Sequence, residues 1–125
     1  MRSLVLAGAL IAAGCTHPTP SITISPGLVP QLSPAAVEGL ARAAVAPAID
    51  TSGRGHVVDA VAITAIPGGP TVGGYLVGNS WIVELQGAFI ETTGGHPTTT
   101  RSVTVALVHV SDDDGSIISV DFAER

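Results

Sequence analysis

The sequence predicts an α+β domain in which one N-terminal helix packs on a four-stranded antiparallel sheet. Two observations lead to this prediction. Residues 33–46 carry apolar side chains at helical spacing, and four later segments are rich in β-branched residues and separated by polar or glycine-rich loops. A helix followed by such strands favours an antiparallel sheet that is covered by the helix on one face. We expect a signal peptide and a Pro/Thr-rich tether to precede this domain.

Residues 1–14 have the composition of an export signal. Arg2 supplies a positive charge, residues 4–13 are uncharged and mostly apolar, and small residues precede Cys15, the chain's one cysteine. The apolar run is about half the ~20 residues that a membrane-spanning helix needs. A plain signal peptide cut elsewhere is the alternative, but the Ala-Gly-Ala pattern at residues 7–9 comes too early in the apolar run.

A lipoprotein-like motif lies at residues 10–15, which read Leu-Ile-Ala-Ala-Gly-Cys. It resembles the lipobox of bacterial lipoproteins, although Ala12 stands where the motif usually has Leu. The resemblance implies cleavage before Cys15 and lipid attachment to its sulfur and its new amino group. Lipidation also accounts for a lone cysteine, which in an oxidising compartment would otherwise be a free thiol. The implied location is the cell membrane, where the lipid anchors the chain to the extracytoplasmic face.

Residues 15–32 are predicted to be the lipidated cysteine and a flexible tether. Prolines at positions 18, 20, 26 and 30 stand among Thr and Ser, a composition that favours extended chain and cannot bury a core. Ile22, Ile24, Leu28 and Val29 are apolar for a linker, so we expect part of it to lie against the domain. The predicted folded domain is residues 33–125.

The single predicted helix covers residues 33–46. Ser33 is a good N-cap and Pro34 stands at the first helical position, where its missing N–H costs nothing. Glu38 and Arg42 form an i,i+4 pair, and Pro47 should end or kink the helix. The apolar face consists of Val37, Leu40, Ala41, Ala44 and Val45.

Residues 57–66, 80–91, 101–110 and 117–122 are the predicted strands. In the second strand apolar and polar side chains alternate, and the face predicted to point inward carries Trp81, Val83, Leu85 and Phe89. We therefore expect Trp81 to be buried beneath the helix. Glu84 points the other way, and Arg101 is expected to face it across the sheet as a surface ion pair.

The order of these elements resembles the PepSY and cystatin-like group of small α+β domains. The resemblance is carried by the helix, the strand Trp-Ile-Val-Glu-Leu at residues 81–85, and the apolar strand at residues 103–108 that leads into Asp114-Gly115 and a last apolar strand. It departs from the PepSY pattern in its three consecutive aspartates and its long middle loop. The resemblance implies a regulator of an extracytoplasmic peptidase.

Residues that could carry out chemistry are few. Asp112, Asp113 and Asp114 lack the spacing of a calcium loop, so we interpret them as an exposed hairpin turn. His17, His56, His96 and His109 show no metal-ligand spacing, and His109 is expected at a strand end. No nucleophile elbow or phosphate-binding loop is present. We therefore predict no catalytic, metal or cofactor site, and Cys15 is the one predicted site residue.

Charge and composition bound the function. Cleavage before Cys15 removes Arg2, so the formal net charge of −5 becomes about −6, which does not suit nucleic acid. The leading hypothesis is a non-catalytic domain that binds or modulates a partner in the cell envelope. The alternative is a PepSY-like or cystatin-like regulator of a peptidase. The long loops at residues 67–74 and 92–100 are the expected binding surface.

Overall fold

The computed structural model describes residues 19–52, 57–68, 71–72, 75–76 and 78–124. The predicted signal peptide and Cys15 lie outside these residues. The elements in chain order are β1 (Ser21–Ile24), α1 (Pro34–Val45), a 3₁₀ turn (Ala46–Ala48), β2 (Asp59–Ile66), β3 (Thr71–Val72), β4 (Tyr75–Leu76), β5 (Ser80–Thr93), β6 (Thr99–Ser111) and β7 (Ile117–Ala123).

Five strands form the main sheet, in the order β1-β2-β5-β6-β7. The pairs β2–β5, β5–β6 and β6–β7 are antiparallel, which confirms the four predicted strands and their α+β class. β1 instead runs parallel to β2, with Ser21 opposite Ala62 and Ile24 opposite Ala65. β3 and β4 pair separately within the loop between β2 and β5.

The prediction of a four-stranded antiparallel sheet behind an N-terminal helix was wrong in its details. β1 precedes the helix, lies within the segment predicted as tether, and makes the sheet five-stranded and mixed. Pro20 and Pro26 flank this edge strand without interrupting it, so neither removes a hydrogen bond within its pairing. The backbone N–H and the Oγ of Ser25 both donate to the carbonyl of Ala65, at 3.1 and 3.0 Å, and continue the contact past the strand's end.

The helix forms where its capping signals predict it. Ser33 has an extended backbone, and its Oγ accepts from the N–H of Ala36 at 3.1 Å. The Arg42 Nε lies 2.8 Å from Glu38 Oε2, so the predicted pair is present. Arg42 also donates from Nη1 to the carbonyl of Val58 at 2.7 Å, which ties the helix to the chain entering β2.

The core lies between one face of the sheet and the helix. Trp81 is fully buried there, as the alternation of β5 predicts, together with Phe89 and Ile63. The helix contributes Val37, Ala41 and Val45, whereas Leu40 is 36% exposed at the margin. The buried cluster is completed by Val58, Ala60, Ala65, Val83, Leu85, Val103, Ala106, Val108 and Val110.

Candidate functional site

The two ends of the sheet carry different structures. The turn end holds residues 25–32, which follow β1, together with residues 67–68 and 78–79 and the 112–116 turn between β6 and β7. The ribbon end holds the start of β1 and the hairpin of β5 and β6 that extends beyond its neighbours. The two long loops predicted as one binding surface therefore start from opposite ends of the sheet. The antiparallel pairing of β2 and β5 explains this separation. Ile66 and Ser80, where the first loop begins and ends, are opposite each other, and β5 then runs to the other end of the sheet before the second loop begins.

The ribbon comprises residues 87–104, where β5 and β6 pair with each other and with no other strand of the main sheet, although Phe89 also forms a β-bridge with Ile49 at its base. The pairing of β5 with β2 ends at Gln86, and the pairing of β6 with β7 ends at Val105. The pairing of β5 with β6 continues beyond these residues to Thr93 and Thr99. A bulge precedes the ribbon at Gly87, where a Cβ atom would lie 3.0 Å from the carbonyl oxygen of Val57. This close approach favours glycine, and a bulge at this point increases the local twist of the strand.

The ribbon tip, residues 92–100, is exposed along its length and contains no Asp, Glu, Lys or Arg. The nearest charges are paired at its base, where Arg101 Nη2 lies 2.7 Å from Glu91 Oε1. The predicted Glu84–Arg101 pair was wrong, because the register places Leu107 opposite Glu84 and Arg101 opposite Glu91. The bulge and the longer hairpin shift Arg101 away from Glu84.

An open cleft of about 380 Å³ lies at the base of the ribbon. The turn after the helix, one side of the ribbon and β7 form its walls, which are lined by Pro47, Ala48, Ile90, Glu91, Thr92, Val120 and Phe122. The ring of Phe122 packs against the buried ring of Phe89 at a centroid distance of 5.8 Å. Glu91 in its wall is already paired with Arg101, so the cleft presents no arrangement of free polar groups that selects a particular ligand.

Asp112 is buried at the turn end, with 2% of its surface exposed. The prediction of a wholly exposed aspartate turn was therefore wrong for this residue. Its Oδ1 accepts from the indole Nε1 of Trp81 at 2.8 Å and from the N–H of Leu32 at 3.0 Å, and its Oδ2 accepts from the N–H of Gln31 at 2.7 Å. Asp112 thus joins the core tryptophan to the segment between β1 and the helix.

The pKa of Asp112 reflects two opposing effects. Burial raises it, but hydrogen bonds from the backbone of Gln31 and Leu32 and from the Trp81 indole stabilise the carboxylate, and together they hold the pKa below its ordinary value. Hydrogen bonds from the backbone and side chain of Ser116 likewise lower the pKa of Asp114. Asp112 uses both oxygens within the fold, which makes it a structural group.

His109 belongs to a polar group on the sheet face opposite the helix. It lies two residues before the end of β6 at Ser111, close to the predicted strand-end position. Its Nδ1 lies 3.1 Å from Ser119 Oγ and 4.0 Å from Asp121 Oδ2. A nucleophile relay needs the hydroxyl on one ring nitrogen and the carboxylate on the other. Here both approach the same nitrogen, so the group has a triad's composition without its geometry.

Sequence analysis did not bring His109, Ser119 and Asp121 together, although a signal was available. In β7, Val120 and Phe122 pack against the core, so Ser119 and Asp121 between them face outward. The register that pairs His109 with Ser119 is what completes the group. His96 lies exposed in the ribbon tip, and His17, His56 and Cys15 lie outside the described residues.

Within the described ranges, no three His, Cys, Asp or Glu side chains are grouped in a way that could hold a metal ion. No helix in the same part of the chain is long and apolar enough to cross a bilayer. Comparisons with protein-family models, with curated proteins and with solved structures find no match. The PepSY-like and cystatin-like resemblance stays a prediction.

Proposed function

We propose that this protein is an extracytoplasmic lipoprotein, anchored through Cys15, whose α+β domain binds or modulates a partner in the cell envelope without catalysis. The observation that carries the proposal is the uncharged apolar segment that ends in small residues and Cys15. The fold supports it, because the first strand begins at Ser21 and only residues 16–20 separate the cysteine from folded chain. An attachment point so close to the fold suits an anchored domain.

The binding role is supported by how the polar side chains are used. Asp112 is engaged by three internal donors, and His109 meets Ser119 and Asp121 through one nitrogen. Neither arrangement prepares a nucleophile or a general acid. Residues 67–79 are a long connection between strand ends that lie side by side, and such a loop can vary without disturbing a core. We assign the partner surface to this loop.

The anchor is tested by metabolic labelling with a fatty acid. The wild-type chain should incorporate the label and fractionate with membranes. Cys15→Ala should lose the label and leave the membrane fraction or remain unprocessed. A Ser25→Ala chain is a matched control, since it changes a small side chain outside the motif and should be labelled like wild type. Membrane association of the wild type without fatty acid would contradict the proposed anchor.

The partner surface is tested with a pair of loop replacements. Ile66 and Ser80 are opposite each other, as are Thr93 and Thr99, so either loop can be shortened between strand ends that stay in register. Replacing residues 69–77 by a short Gly-Ser turn should remove the partner recovered by pull-down from envelope extract. Shortening the ribbon tip equally should not. Recovery of a peptidase would favour the regulator alternative, and equal recovery by both variants would exclude the 67–79 loop.

A further inference from the structure

We infer that the ribbon tip, residues 92–100, faces the lipid headgroups of the membrane in which Cys15 is anchored, so that the turn end points away from the membrane. This inference rests on the proposed lipid anchor. It goes beyond the anchor because it assigns an orientation to the domain and a lipid-facing surface to residues that are far from Cys15 in sequence.

The first step is the length of the free chain. Residues 16–20 separate the anchor from Ser21, where β1 begins. From Cys15 to Ser21 a fully extended chain spans about 20 Å at most. Ser21 therefore lies within that distance of the anchor, so the end of the domain at which β1 begins is held close to the membrane.

The second step is the direction from which the chain enters the fold. β1 is parallel to β2, so the chain reaches Ser21 from the same side as the start of β2 at Asp59. That side is the ribbon end, since β5 passes Asp59 at Gln86 and then continues as the ribbon. The shortest path from the anchor to β1 thus places the ribbon end nearest the membrane.

The third step compares the reach of the ribbon with that of the tether. Ser21 is level with Ala62 of β2, which lies opposite Glu84 of β5. From Glu84 to Thr93 the strand extends roughly 30 Å toward the tip. The tip therefore extends at least as far as the longest possible tether. A membrane that holds Cys15 on this side of the domain must meet the tip, and the domain tilts until the ribbon rests on the headgroups.

The fourth step is charge. The chain is acidic, and an anionic lipid surface repels carboxylates within a Debye length of about 8–10 Å. The tip carries no carboxylate, and Glu91 at its base is paired with Arg101. The turn end exposes Asp113 and Asp114 at the opposite end of the sheet, whereas the carboxylates of the ribbon end, Asp50, Asp59 and Glu124, lie at the base of the ribbon and not in its tip. The proposed orientation brings the carboxylate-free, threonine-rich tip to the lipid and keeps the exposed aspartates of the turn away from it.

The test measures which end of the anchored protein lies near lipid headgroups. Thr99→Cys places a thiol at the base of the tip, and Val29→Cys places a matched thiol at the turn end, where Val29 is 85% exposed. Acylated Cys15 does not react with a maleimide, so each full-length lipidated variant takes one fluorophore. The labelled proteins are reconstituted into vesicles of phosphatidylethanolamine and phosphatidylglycerol, with and without a headgroup-nitroxide phosphatidylcholine. Thr98→Cys supplies a second position on the tip.

We expect the nitroxide lipid to quench the fluorophore at Thr99 and at Thr98 several-fold more than the fluorophore at Val29. Equal quenching at both ends, or stronger quenching at Val29, in protein that carries fatty acid and floats with the vesicles overturns the orientation alone. A wild-type chain that carries no fatty acid and does not float overturns the anchor and the orientation together.

A longer tether provides the control for the proposed cause. Inserting about 20 flexible Gly and Ser residues after Thr16 lets the domain move away from the bilayer without changing any described residue. We expect the difference in quenching between Thr99 and Val29 to disappear in this chain. A difference that persists at full size would overturn the short tether as the cause of the orientation.

Discussion

Replacing Asp112 by alanine should destabilise the domain by about 3–5 kcal/mol, although the residue lies in a turn. The substitution removes the acceptor of three donors, which are the Trp81 indole N–H and the backbone N–H groups of Gln31 and Leu32. An unsatisfied buried donor costs about 1–3 kcal/mol. The indole is fully buried and falls in the upper part of that range, whereas the two amides are partly buried and fall in the lower part. The sum is a large share of the roughly 5–15 kcal/mol that holds a domain folded.

Asparagine at position 112 should cost less, about 1–2 kcal/mol. Its Oδ1 can still accept from Trp81 and Leu32, but its amide NH₂ meets the N–H of Gln31, where a donor faces a donor. Asp113→Asn makes the same charge change on an exposed neighbour and should stay within about 0.5 kcal/mol of wild type. Urea unfolding followed by the fluorescence of Trp81, the one tryptophan, measures all three. An Asp112→Ala midpoint equal to that of Asp113→Asn would refute the role of the buried carboxylate.

The same hydrogen bonds make the contribution of Asp112 depend on pH. Its folded pKa is lower than the ordinary value of 3.8, so the contribution is complete above that value and is lost as pH falls through the lowered folded pKa. The stability difference between wild type and Asp112→Asn should therefore be constant near neutral pH and shrink in acid. Asp114, whose pKa is also lowered, is present in both chains and drops out of the difference. A difference that grows on acidification would contradict this assignment.

Three further predictions follow from the anchor, the core and the turn. Cys15→Ala should abolish fatty-acid incorporation, measured by metabolic labelling, and label retained in this variant would place the lipid elsewhere. Trp81→Ala should cost about 3–5 kcal/mol in urea unfolding, whereas Glu84→Ala on the opposite face should change stability by about 0.5 kcal/mol or less; equal effects would contradict the assigned core face. Gly115→Ala should lower the unfolding free energy by about 1–2 kcal/mol, because Gly115 has φ +76° and a Cβ there would lie 3.1 Å from Leu40 Cδ1; an unchanged melting temperature would show that the turn adapts without strain.

The helix and four of the strands could be predicted because their signals are local. Ser33 and Pro34 start the helix through groups within one turn of each other. Alternation in β5 identified Trp81 as a core residue before any partner strand was known. Such patterns depend on residues that are close in sequence and on one apolar face, so they can be recognised in a single sequence.

β1 could not be predicted in the same way. Its residues Ser21–Ile24 stand among prolines, and all four are exposed. What makes the segment a strand is the edge of β2, about 40 residues later, which offers hydrogen bonds to any extended chain laid along it. A proline-rich tether and an edge strand both have an extended backbone. The composition of this segment therefore did not distinguish a tether from a strand.

Asp112 shows the same limit at the level of a side chain. Three consecutive aspartates before a glycine are typical of an exposed turn, and Asp113 and Asp114 are indeed exposed. The burial of Asp112 depends on Gln31 and Leu32, about 80 residues earlier, and on the indole of Trp81. No spacing within the turn distinguishes the first aspartate from the next two, and the pairing of distant segments decides which one is enclosed.

The parallel pairing of β1 also has a mechanical consequence. With the proposed anchor at Cys15, a pull on the chain reaches the fold through β1, a four-residue edge strand whose contact ends at the hydrogen bonds of Ser25 to Ala65. The next contacts along the chain are Leu28, which packs against the core, and the hydrogen bonds of Gln31 and Leu32 to Asp112. Residues 21–27 can therefore detach from the sheet and provide roughly 20–25 Å of extended chain while the helix and the four antiparallel strands keep their core. In the proposed lipoprotein, the chain between Cys15 and the helix would therefore lengthen under load before the core unfolds.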